Sequence, residues 1–439
     1  MNRRHFLKSA AASTAAVAAP TIIPSSALGR DGATAPSERI VMGVVGWGMM
    51  GPGNTDSFMS QSDCQVVAAC DIDKNHLASA VKSINDRNKN EDCKAYHDYR
   101  EMMARDDIDA VMLALPDNWH TLTAVEAAKN GKHIYGEKPL SRTIAEQQAI
   151  VKAVEDAGVT WQTGSWQRSV DSFRQAAEIV RNGLLGKITR VEVGLPGGHN
   201  DFAGTKDFMT ESEPPAELDY EMWIGPSAMQ PYIKGRVHKN WRWDYNVGGG
   251  QLLDWIGHHC DIAHWGMDWD NTGPSEVSGT GEFPPRDAVW NTATSYKVEC
   301  TYPDGTPMTI ASAGTDDIRM GTKWIGENGW VWVDRGGFEV SNPDWKQKGG
   351  LPDDLAKVRL FNSPGHHRNF LDCIKSGDKT ITPVGVAHRS AIPGHLGLIA
   401  LITGETLGWN PDTEELTKGS DAAKALLGRD YRDPWKMPA

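Results

Sequence analysis

Residues 40–51 read I-V-M-G-V-V-G-W-G-M-M-G, and this stretch decides how the first part of the chain folds. Its first six residues are apolar and mostly β-branched, which is typical of a buried strand. The pattern G-x-G-x-x-G follows and leads into a predicted helix, which is the setting of a dinucleotide-binding turn. There the three glycines permit a tight turn, close approach of a pyrophosphate, and close packing of helix and strand. A purely structural glycine turn is the alternative. The predicted cofactor contacts are Gly46, Trp47, Gly48, Met49, Met50 and Gly51.

A carboxylate follows the next predicted strand. Residues 65–70 form an apolar run that ends at Asp71, twenty residues after Gly51. This spacing places a carboxylate where the hydroxyl groups of an adenine ribose would lie. A negative charge there repels a 2′-phosphate, and no lysine or arginine directly follows Asp71. The sequence therefore predicts NAD as the cofactor in preference to NADP.

Strands and helices alternate through the first part of the chain. Such alternation specifies a doubly wound parallel sheet, so residues 38–164 are predicted to form an NAD-binding Rossmann domain. The further helices are predicted at 74–84, 99–105, 119–129 and 143–157, and the further strands at 108–115, 133–135 and 160–164.

Two loops follow the carboxyl ends of strands in this domain, where ligands bind in open α/β sheets. They span residues 116–120 and 136–139, and both are expected near the nicotinamide end of the cofactor. For His120, helix capping or packing is an equal alternative, and for Lys138 the alternative is a solvated loop side chain. The predicted contacts from these loops are Pro116, Asn118, His120, Glu137 and Lys138.

The pattern changes after Gly164. Residues 196–249 are rich in glycine, proline and tryptophan, as irregular binding loops are. A glycine-rich stretch then enters a helix on which Asp254 and His258 share one face, because they are four residues apart. Residues 165–439 are predicted to form a substrate-binding α+β domain with an open, mainly antiparallel sheet. Its other helices are predicted at 170–181, 366–376 and 384–407, and its strands at 187–193, 275–282, 292–302, 307–313, 322–325 and 330–333.

From about residue 39 onward, the chain resembles the glucose–fructose oxidoreductase, inositol dehydrogenase and rhizopine-catabolism family (Gfo/Idh/MocA). The resemblance rests on the glycine pattern at 46–51, on E-K-P at 137–139, and on the G-G-G…D-x-x-x-H stretch that contains Asp254 and His258. It implies that the second domain also serves oligomerisation, with its open sheet forming the interface of a homo-oligomer, a dimer or a tetramer. It further implies oxidation or reduction of a sugar, glycoside or polyol with NAD or NADP.

Three residues are the predicted catalytic groups. His258 fits the acceptor of a hydroxyl proton, because an imidazole titrates near working pH, and the resemblance places the catalytic histidine at this position. Asp254 is expected to orient that imidazole or to bind the substrate, with a helix N-cap role as the alternative. Lys138 is expected to donate a hydrogen bond to the reacting oxygen and to stabilise developing alkoxide charge.

Substrate contacts are predicted from aromatic and cationic residues. The chain has 17 tryptophans, and only two precede residue 150. Most are expected in packing, and a few would offer flat faces to a sugar ring. The predicted contacts are Trp166, Gln167, Arg168 and His258, followed by the weaker candidates His199, Asn200, Trp241, Arg242, Trp243 and residues 366–368, for which loop packing is the alternative.

Composition and charge argue against several classes of protein. The formal net charge is −12 and the chain has no basic run, which argues against a nucleic-acid or anionic-membrane partner. No apolar run approaches the roughly 18 residues of a membrane-spanning helix. The six cysteines are scattered, without C-x-x-C spacing, and no metal site is predicted.

Residues 1–37 are predicted to be an export signal and a linker. Arg3 and Arg4 precede a small-residue stretch at 9–19, as in a twin-arginine signal, with possible cleavage after Ala19 or Ala27. This predicts a periplasmic protein. Because that compartment has no obvious pool of free nicotinamide cofactor, the cofactor is expected to be held tightly and regenerated in place.

Two other functions remain open. The first is a glycosidase that oxidises C3 of a glycoside transiently, eliminates the glycosidic group and returns the hydride. Exported relatives that resemble α-N-acetylgalactosaminidases work in this way, but they depart from the E-K-P pattern, whereas this chain keeps Lys138. The second is a sugar-binding protein with an idle cofactor site, against which the joint presence of Lys138, Asp254 and His258 argues.

Overall fold

The computed structural model describes residues 34–347 and 349–438. The arginine pair and both cleavage positions of the predicted signal lie outside these residues. Within the described ranges, no helix is both long and apolar enough to cross a membrane.

Six parallel strands form the first sheet: Ile40–Val45 (β1), Cys64–Cys70 (β2), Lys94–Tyr96 (β3), Ala110–Leu113 (β4), His133–Gly136 (β5) and Trp161–Thr163 (β6). Their order is β3-β2-β1-β4-β5-β6, which confirms the predicted doubly wound Rossmann sheet. The strand order reverses between β1 and β4, and a ligand crevice is expected beyond the carboxyl ends of those strands. Strand β3 was not predicted, because none of its three residues is buried and they form no apolar run.

Five α-helices connect these strands: Gly51–Met59 (α1), Lys74–Asn88 (α2), Tyr99–Met103 (α3), His120–Lys129 (α4) and Ile144–Ala157 (α5). Asp73, Asp98 and Thr143 cap α2, α3 and α5 by accepting backbone N–H bonds. Helix α2 runs past its predicted end at residue 84. The polar residues that follow do not break a helix, and α2 ends only where Lys89 adopts a left-handed conformation (φ 57°).

Nine strands form the second sheet: Ile188–Leu195 (β7), Glu276–Glu282 (β8), Ser295–Thr301 (β9), Pro307–Ser312 (β10), Gly321–Gly326 (β11), Gly329–Asp334 (β12), Gly337–Val340 (β13), Leu407–Asn410 (β14) and Glu415–Lys418 (β15). Their order is β13-β12-β11-β7-β10-β9-β8-β14-β15. Only β7 and β10 pair in parallel within this sheet, which confirms the mainly antiparallel prediction.

Six more helices accompany this sheet: Asp171–Arg181 (α6), Tyr220–Ile224 (α7), Gly250–Met267 (α8), His366–Ser376 (α9), Val384–Thr403 (α10) and Asp421–Ala425 (α11). Helix α10 was predicted to reach residue 407. It ends earlier because Gly404 adopts a left-handed cap (φ 70°), and Leu407 instead begins the unpredicted strand β14. Strands β13 and β15 were also missed, because each has only four residues and little apolar patterning.

Helix α8 positions the central residues of the site. Leu252, Leu253 and Ile256 share one hydrophobic core with Val191 and Val193 of β7, so that α8 is fixed against the sheet. The segment 196–249, which leads into α8, contains only α7 and short 3₁₀ turns, in agreement with the irregular loops predicted there.

Candidate active site

The glycine pattern forms a turn directly after β1. Gly46 has a φ of +91°, and a Cβ at that position would lie 2.3 Å from the carbonyl oxygen of Ala114, so only glycine fits. A Cβ at Gly48 would meet nothing within 4 Å, which leaves open space beside the backbone where a pyrophosphate could approach. The turn lines a cavity of about 400 Å³.

Asp71 is fixed on the wall of this cavity. Its Oδ2 accepts from the backbone N–H of Trp47 at 2.7 Å, and its Oδ1 accepts from that of Asp73 at 2.9 Å. The pKa of His76 is raised, chiefly by its interaction with Asp71. Although no metal site was predicted, ligand atoms of Asp73, His76 and His238 lie within 4.8 Å of one another on the same wall, close enough to hold an ion.

Within residues 116–120, some side chains line the cavity and others lie in the protein interior. Pro116 lines the cavity. Asn118 instead donates to the carbonyl oxygen of Ile224 at 3.0 Å. The ring nitrogens of His120 lie 2.9 Å and 3.2 Å from the carbonyl oxygens of Leu115 and Leu140, and burial lowers the pKa of His120 to about 4. The side chains of Asn118 and His120, expected to contact a cofactor, thus lie in internal packing, which for His120 was the stated alternative.

Segment 216–225, which we call the clasp, contacts residues of the Rossmann domain. Leu218 forms an isolated antiparallel bridge with Asp73. The clasp is also fixed by Asp219, whose Oδ2 lies 2.8 Å from His97 Nε2 and whose backbone N–H donates to the carbonyl oxygen of Ile72. Together with the residues that follow it, the clasp covers one side of the cavity, which it lines through Leu218, Met222, Trp223, His238, Lys239 and Trp241.

Lys138 and Asp254 meet on the cavity wall. Lys138 Nζ donates to Asp254 Oδ1 at 2.8 Å and to its backbone carbonyl oxygen at 2.6 Å. Arg242 Nε donates to the same Oδ1 at 2.9 Å. Burial alone would raise the pKa of Asp254, but the charges of Arg242 and Lys138 hold it well below its usual range. A Cβ at Gly257 would lie 2.7 Å from Lys138 Cβ, so glycine allows this close approach.

His258 lies one helical turn beyond Asp254 and is buried. Its Nδ1 finds no hydrogen-bond partner among the described residues. The indoles of Trp255 and Trp166 lie edge-on to its ring, with centroids 5.3 Å and 6.5 Å away. Burial, and then the nearby charge of Lys138, lower the pKa of His258 well below its usual value, which favours the neutral, proton-accepting form.

The structure contradicts one of the two roles expected of Asp254, and binding of the substrate by Asp254 stays a prediction. Its carboxylate does not orient His258; it joins the cations Lys138 and Arg242 instead. The alternative of a helix N-cap is also wrong, because α8 begins at Gly250 and Asp254 lies inside it. The physical reason is that Lys138 and Arg242 both donate to Asp254, and the sequence spacing of Asp254 and His258 does not reveal the second cation.

The predicted substrate contacts have different environments. Trp166 is half-buried beside His258, and Trp241 lines the cavity and stacks under Arg242, whose Cζ lies 4.5 Å from its ring centroid. Arg168 is only 2% exposed and forms ion pairs with Asp261 at 2.8 Å and Asp270 at 2.7 Å. Its guanidinium is therefore part of the core and is not open to a substrate.

The remaining candidates lie in packing contacts. His199 stacks on Trp243 with ring centroids 5.2 Å apart, and Trp243 is fully buried. Trp243 Nε1 donates to the carbonyl oxygen of Asn200 at 2.8 Å. His366 is buried between Ser169 Oγ and the carbonyl oxygen of Thr163. His367 contacts Asn54 Oδ1 at 3.1 Å, and Arg368 pairs with Asp63 at 2.6 Å.

Two features of the site are not predicted from the sequence, and a third is predicted only as a weaker candidate. Arg242 is that candidate, although the two tryptophans that flank it in a loop-rich segment are a usable signal. Arg335 beside Trp166 and Trp255 is not predicted, because the turn between β12 and β13 carries no motif. The clasp is not predicted either, because its contacts join residues far apart in the chain.

Asp117 provides a pH-dependent prediction. It is 2% exposed, and burial together with the charge of Asp254 raises its pKa to about 7. Between about pH 4 and 7 the unfolded chain releases this proton while the folded chain keeps it, so the free energy of unfolding falls as pH rises. Asp117→Asn removes this loss. The stability of the variant relative to the parent should rise by up to about 1.4 kcal/mol per pH unit over this window and then level off, as measured by urea unfolding. A constant difference would contradict the assignment.

The chain matches known protein families over most of its length. Residues 40–165 match the sequence profile of an oxidoreductase family described as having a NAD-binding Rossmann fold, and residues 170–437 match the C-terminal alpha/beta domain of that family. Residues 1–20 match the twin-arginine translocation signal, which indicates export to the periplasm.

Relatives and solved structures agree with these matches. A "Glycosyl hydrolase family 109 protein" of Shewanella sp. (strain W3-18-1) is 30% identical over 210 residues, which are 44% of this chain and 45% of that protein. The chain thus aligns with about half the length of the curated relatives it matches. The aldose-aldose oxidoreductase of Caulobacter crescentus has 18% identity and a TM-score of 0.60, over 84% of this chain and 99% of that one.

The scyllo-inositol dehydrogenase of Lactobacillus casei, solved with NAD(H) and scyllo-inositol, has 16% identity and a TM-score of 0.58, over 84% of this chain and 99% of that one. At these identities the two structures show a shared fold. Because both domain profiles match and together span most of the sequence, the chain belongs to the Gfo/Idh/MocA oxidoreductase family.

Proposed function

We propose that this protein is an oxidoreductase that moves a hydride between NAD and a hydroxyl-bearing carbon of a sugar, glycoside or polyol. The observation that carries the proposal is the Lys138–Asp254 ion pair, with an N–O distance of 2.8 Å, on the wall of the cavity that the glycine turn also lines. The turn fits a dinucleotide, because Gly48 leaves open space beside the backbone. When bound, the nicotinamide supplies the site that accepts or returns the hydride.

The protein's own residues would handle the proton and the charge. His258, kept neutral by burial, accepts the proton of the substrate hydroxyl at a ring nitrogen. Lys138 donates a hydrogen bond to the oxygen from which that proton leaves and stabilises its developing negative charge. Asp254 fixes the ammonium group of Lys138 by accepting from it with both a carboxylate oxygen and its backbone carbonyl.

NAD in preference to NADP remains part of the proposal. Asp71 supports it, because its carboxylate is fixed by two backbone N–H groups and would repel a 2′-phosphate. This preference can be tested on protein from which the bound cofactor has been removed. NAD and NADP are each loaded into it, and their affinities are then compared by competition.

We also propose that the cofactor stays bound through many turnovers. The clasp supports this, because it lines one side of the cavity and Asp219 holds it to His97 and Ile72 of the Rossmann domain. Release of a cofactor would require those contacts to open. A retained cofactor suits an exported enzyme, provided that a second substrate or a later step takes the hydride back.

The purified protein should release about one nicotinamide cofactor per chain when it is desalted and then denatured. Asp219→Ala removes the contact with His97 and the cap on α7, and should speed loss of the cofactor during dialysis by about tenfold. Asp86→Ala, which breaks an exposed ion pair with Lys82, is the matched control and should not change retention. Equal retention in the two variants would contradict the role of the clasp.

Glycoside hydrolysis is the second candidate, and it is favoured by the name of the Shewanella relatives. Oxidation at C3 would acidify the C2–H, and loss of that proton together with the glycosidic oxygen would leave an unsaturated ketone and the protonated leaving group. Water would then add to C1 of this ketone and restore the proton at C2, and return of the hydride to C3 would make the cycle redox-neutral. Screening p-nitrophenyl glycosides without added oxidant, alongside pairs of sugars for hydride exchange, separates the two candidates. Nitrophenol release that depends on the retained cofactor would select the glycosidase.

The division into domains and the assembly are also proposals. We assign residues 38–164 to cofactor binding and residues 165–439 to substrate binding and oligomerisation. The alternation of buried Tyr296, Val298 and Cys300 with less buried neighbours along β9 supports a second sheet with one face in the core and one more open face. Light scattering of the purified protein would identify a dimer or a tetramer.

A further inference from the structure

Arg335 lies in the turn between β12 and β13, where two indoles hold its guanidinium group. Its Cζ is 4.3 Å from the ring centroid of Trp255 and 4.9 Å from that of Trp166. Its Nε donates to Gln167 Oε1 at 3.3 Å. The residue is nevertheless exposed, so these contacts fix the orientation of the guanidinium without enclosing it. Solvent can therefore reach a cation whose position is already set.

This cation has no counter-ion in the described part of the chain. No aspartate or glutamate there forms an ion pair with Arg335. Arg319, which lies just before β11, provides a comparison. It stacks on Trp332, with Cζ 3.7 Å from the ring centroid, but its two terminal nitrogens donate to Glu339 at 3.0 Å and 3.1 Å. Both arginines thus stack on an indole. Arg319 also has a carboxylate partner, whereas Arg335 has none among the described residues.

Arg335 also lies beside the proposed proton acceptor. The two indoles that hold its guanidinium are the same two that lie edge-on to His258. The charge of Arg335 contributes, after burial and Lys138, to lowering the pKa of His258. Lys138 and Arg242 already share the carboxylate of Asp254. Arg335 therefore adds a positive charge to this side of the site without an ion-pair partner among the described residues.

We infer that Arg335 binds an anionic group of the substrate, so that this site takes an acidic sugar, one that carries a carboxylate or a sulfate. The inference rests on the function proposed above. A planar guanidinium presents N–H donors in a fork that matches both oxygens of a carboxylate, and such charge-assisted bonds are strong and directional. Because Trp166 and Trp255 already fix its orientation, less conformational entropy is lost when the anion binds.

Equilibrium binding to the cofactor-loaded protein tests this inference without requiring turnover. The ligands are D-glucuronate and D-galacturonate, their neutral parents D-glucose and D-galactose, and glucose 6-sulfate. The readout is tryptophan fluorescence, since two tryptophans contact Arg335. We expect at least one acidic sugar to bind about tenfold or more tightly than its neutral parent. The two uronates carry a carboxylate and glucose 6-sulfate carries a sulfate. Comparing their affinities therefore shows which anionic group the site binds.

Arg335→Met should remove this preference, so that acidic and neutral sugars bind with similar affinity. Arg335→Lys should keep part of it, because the charge remains while the planar fork is lost. Arg319→Met is the matched control and should keep the full preference. Equal affinity of the parent protein for acidic and neutral sugars, or no binding of any acidic sugar, would overturn the inference, as would a preference that survives in Arg335→Met.

The two proposals can fail separately. Cofactor-dependent turnover of neutral sugars without an acidic preference would overturn the role of Arg335 and leave the oxidoreductase intact. An acidic preference that disappears in Arg335→Met, in a protein that oxidises none of these sugars, would support Arg335 as an anion-binding residue and count against the proposed activity.

Discussion

Replacing His258 with alanine is expected to slow hydride transfer by about 10²–10⁴-fold, the usual contribution of a positioned general base. The reason is that the substrate hydroxyl then has no neutral imidazole to take its proton. Burial and the charge of Lys138 keep His258 in that neutral form. The rate is best measured in a single turnover from the nicotinamide absorbance of the loaded protein, which separates the chemical step from product release.

This variant should fold and keep its cofactor. His258 Nδ1 has no hydrogen-bond partner among the described residues, so its removal orphans no known buried group at that atom. His258 is also not among the residues that line the cavity of the glycine turn. The cofactor content and the melting temperature are therefore the controls. A single-turnover rate close to that of the parent protein would show that another group accepts the proton.

Replacing Lys138 with methionine is expected to lower the same rate by about 10²–10³-fold, which is typical when one donor to a developing oxyanion is removed. Asp254 would keep Arg242 as a partner, since Arg242 Nε donates to the same carboxylate oxygen at 2.9 Å. The variant should therefore keep Asp254 paired, and the loss should lie in kcat more than in folding. Lys152→Met, at an exposed ion pair with Asp156, is the matched control.

The Lys138 variant should also move the pH profile in a defined direction. Lys138 lowers the pKa of His258, so its removal should raise that pKa. The base is active when it is deprotonated, and the rate therefore rises with pH through this pKa. The rising limb of the single-turnover rate should shift to higher pH in Lys138→Met. An unchanged profile combined with a normal rate would mean that Lys138 only holds Asp254 in place.

Much of the fold could be predicted from the sequence, because its signals are local. The glycine turn at 46–51 and the alternation that follows it identify the parallel sheet, and the short apolar runs after residue 270 identify most of the second sheet. Short elements such as β3, β13 and β15 were missed. Each has at most four residues, and its pairing depends on neighbouring strands more than on its own composition.

The candidate site was predicted only in its parts. Lys138, Asp254 and His258 could be named because motifs carry them, but their partners could not. Asp254 was expected to orient His258 or to bind the substrate, and the structure pairs it with Lys138 and Arg242 instead of His258. Arg168 was expected at the substrate, and it lies in a buried ion-pair network with Asp261 and Asp270. In both cases the deciding partner comes from a distant part of the chain.

The sequence by itself determined the export signal, the class of both sheets, the glycine turn and the identity of the three proposed catalytic side chains. Only the tertiary structure decided that Asp254 pairs with Lys138, that the clasp lines one side of the cavity, and that Arg335 lies beside His258 without an ion-pair partner among the described residues. Motifs record chemistry that a few neighbouring residues must supply together, whereas charge pairing and burial depend on which distant residues the fold brings within hydrogen-bonding distance.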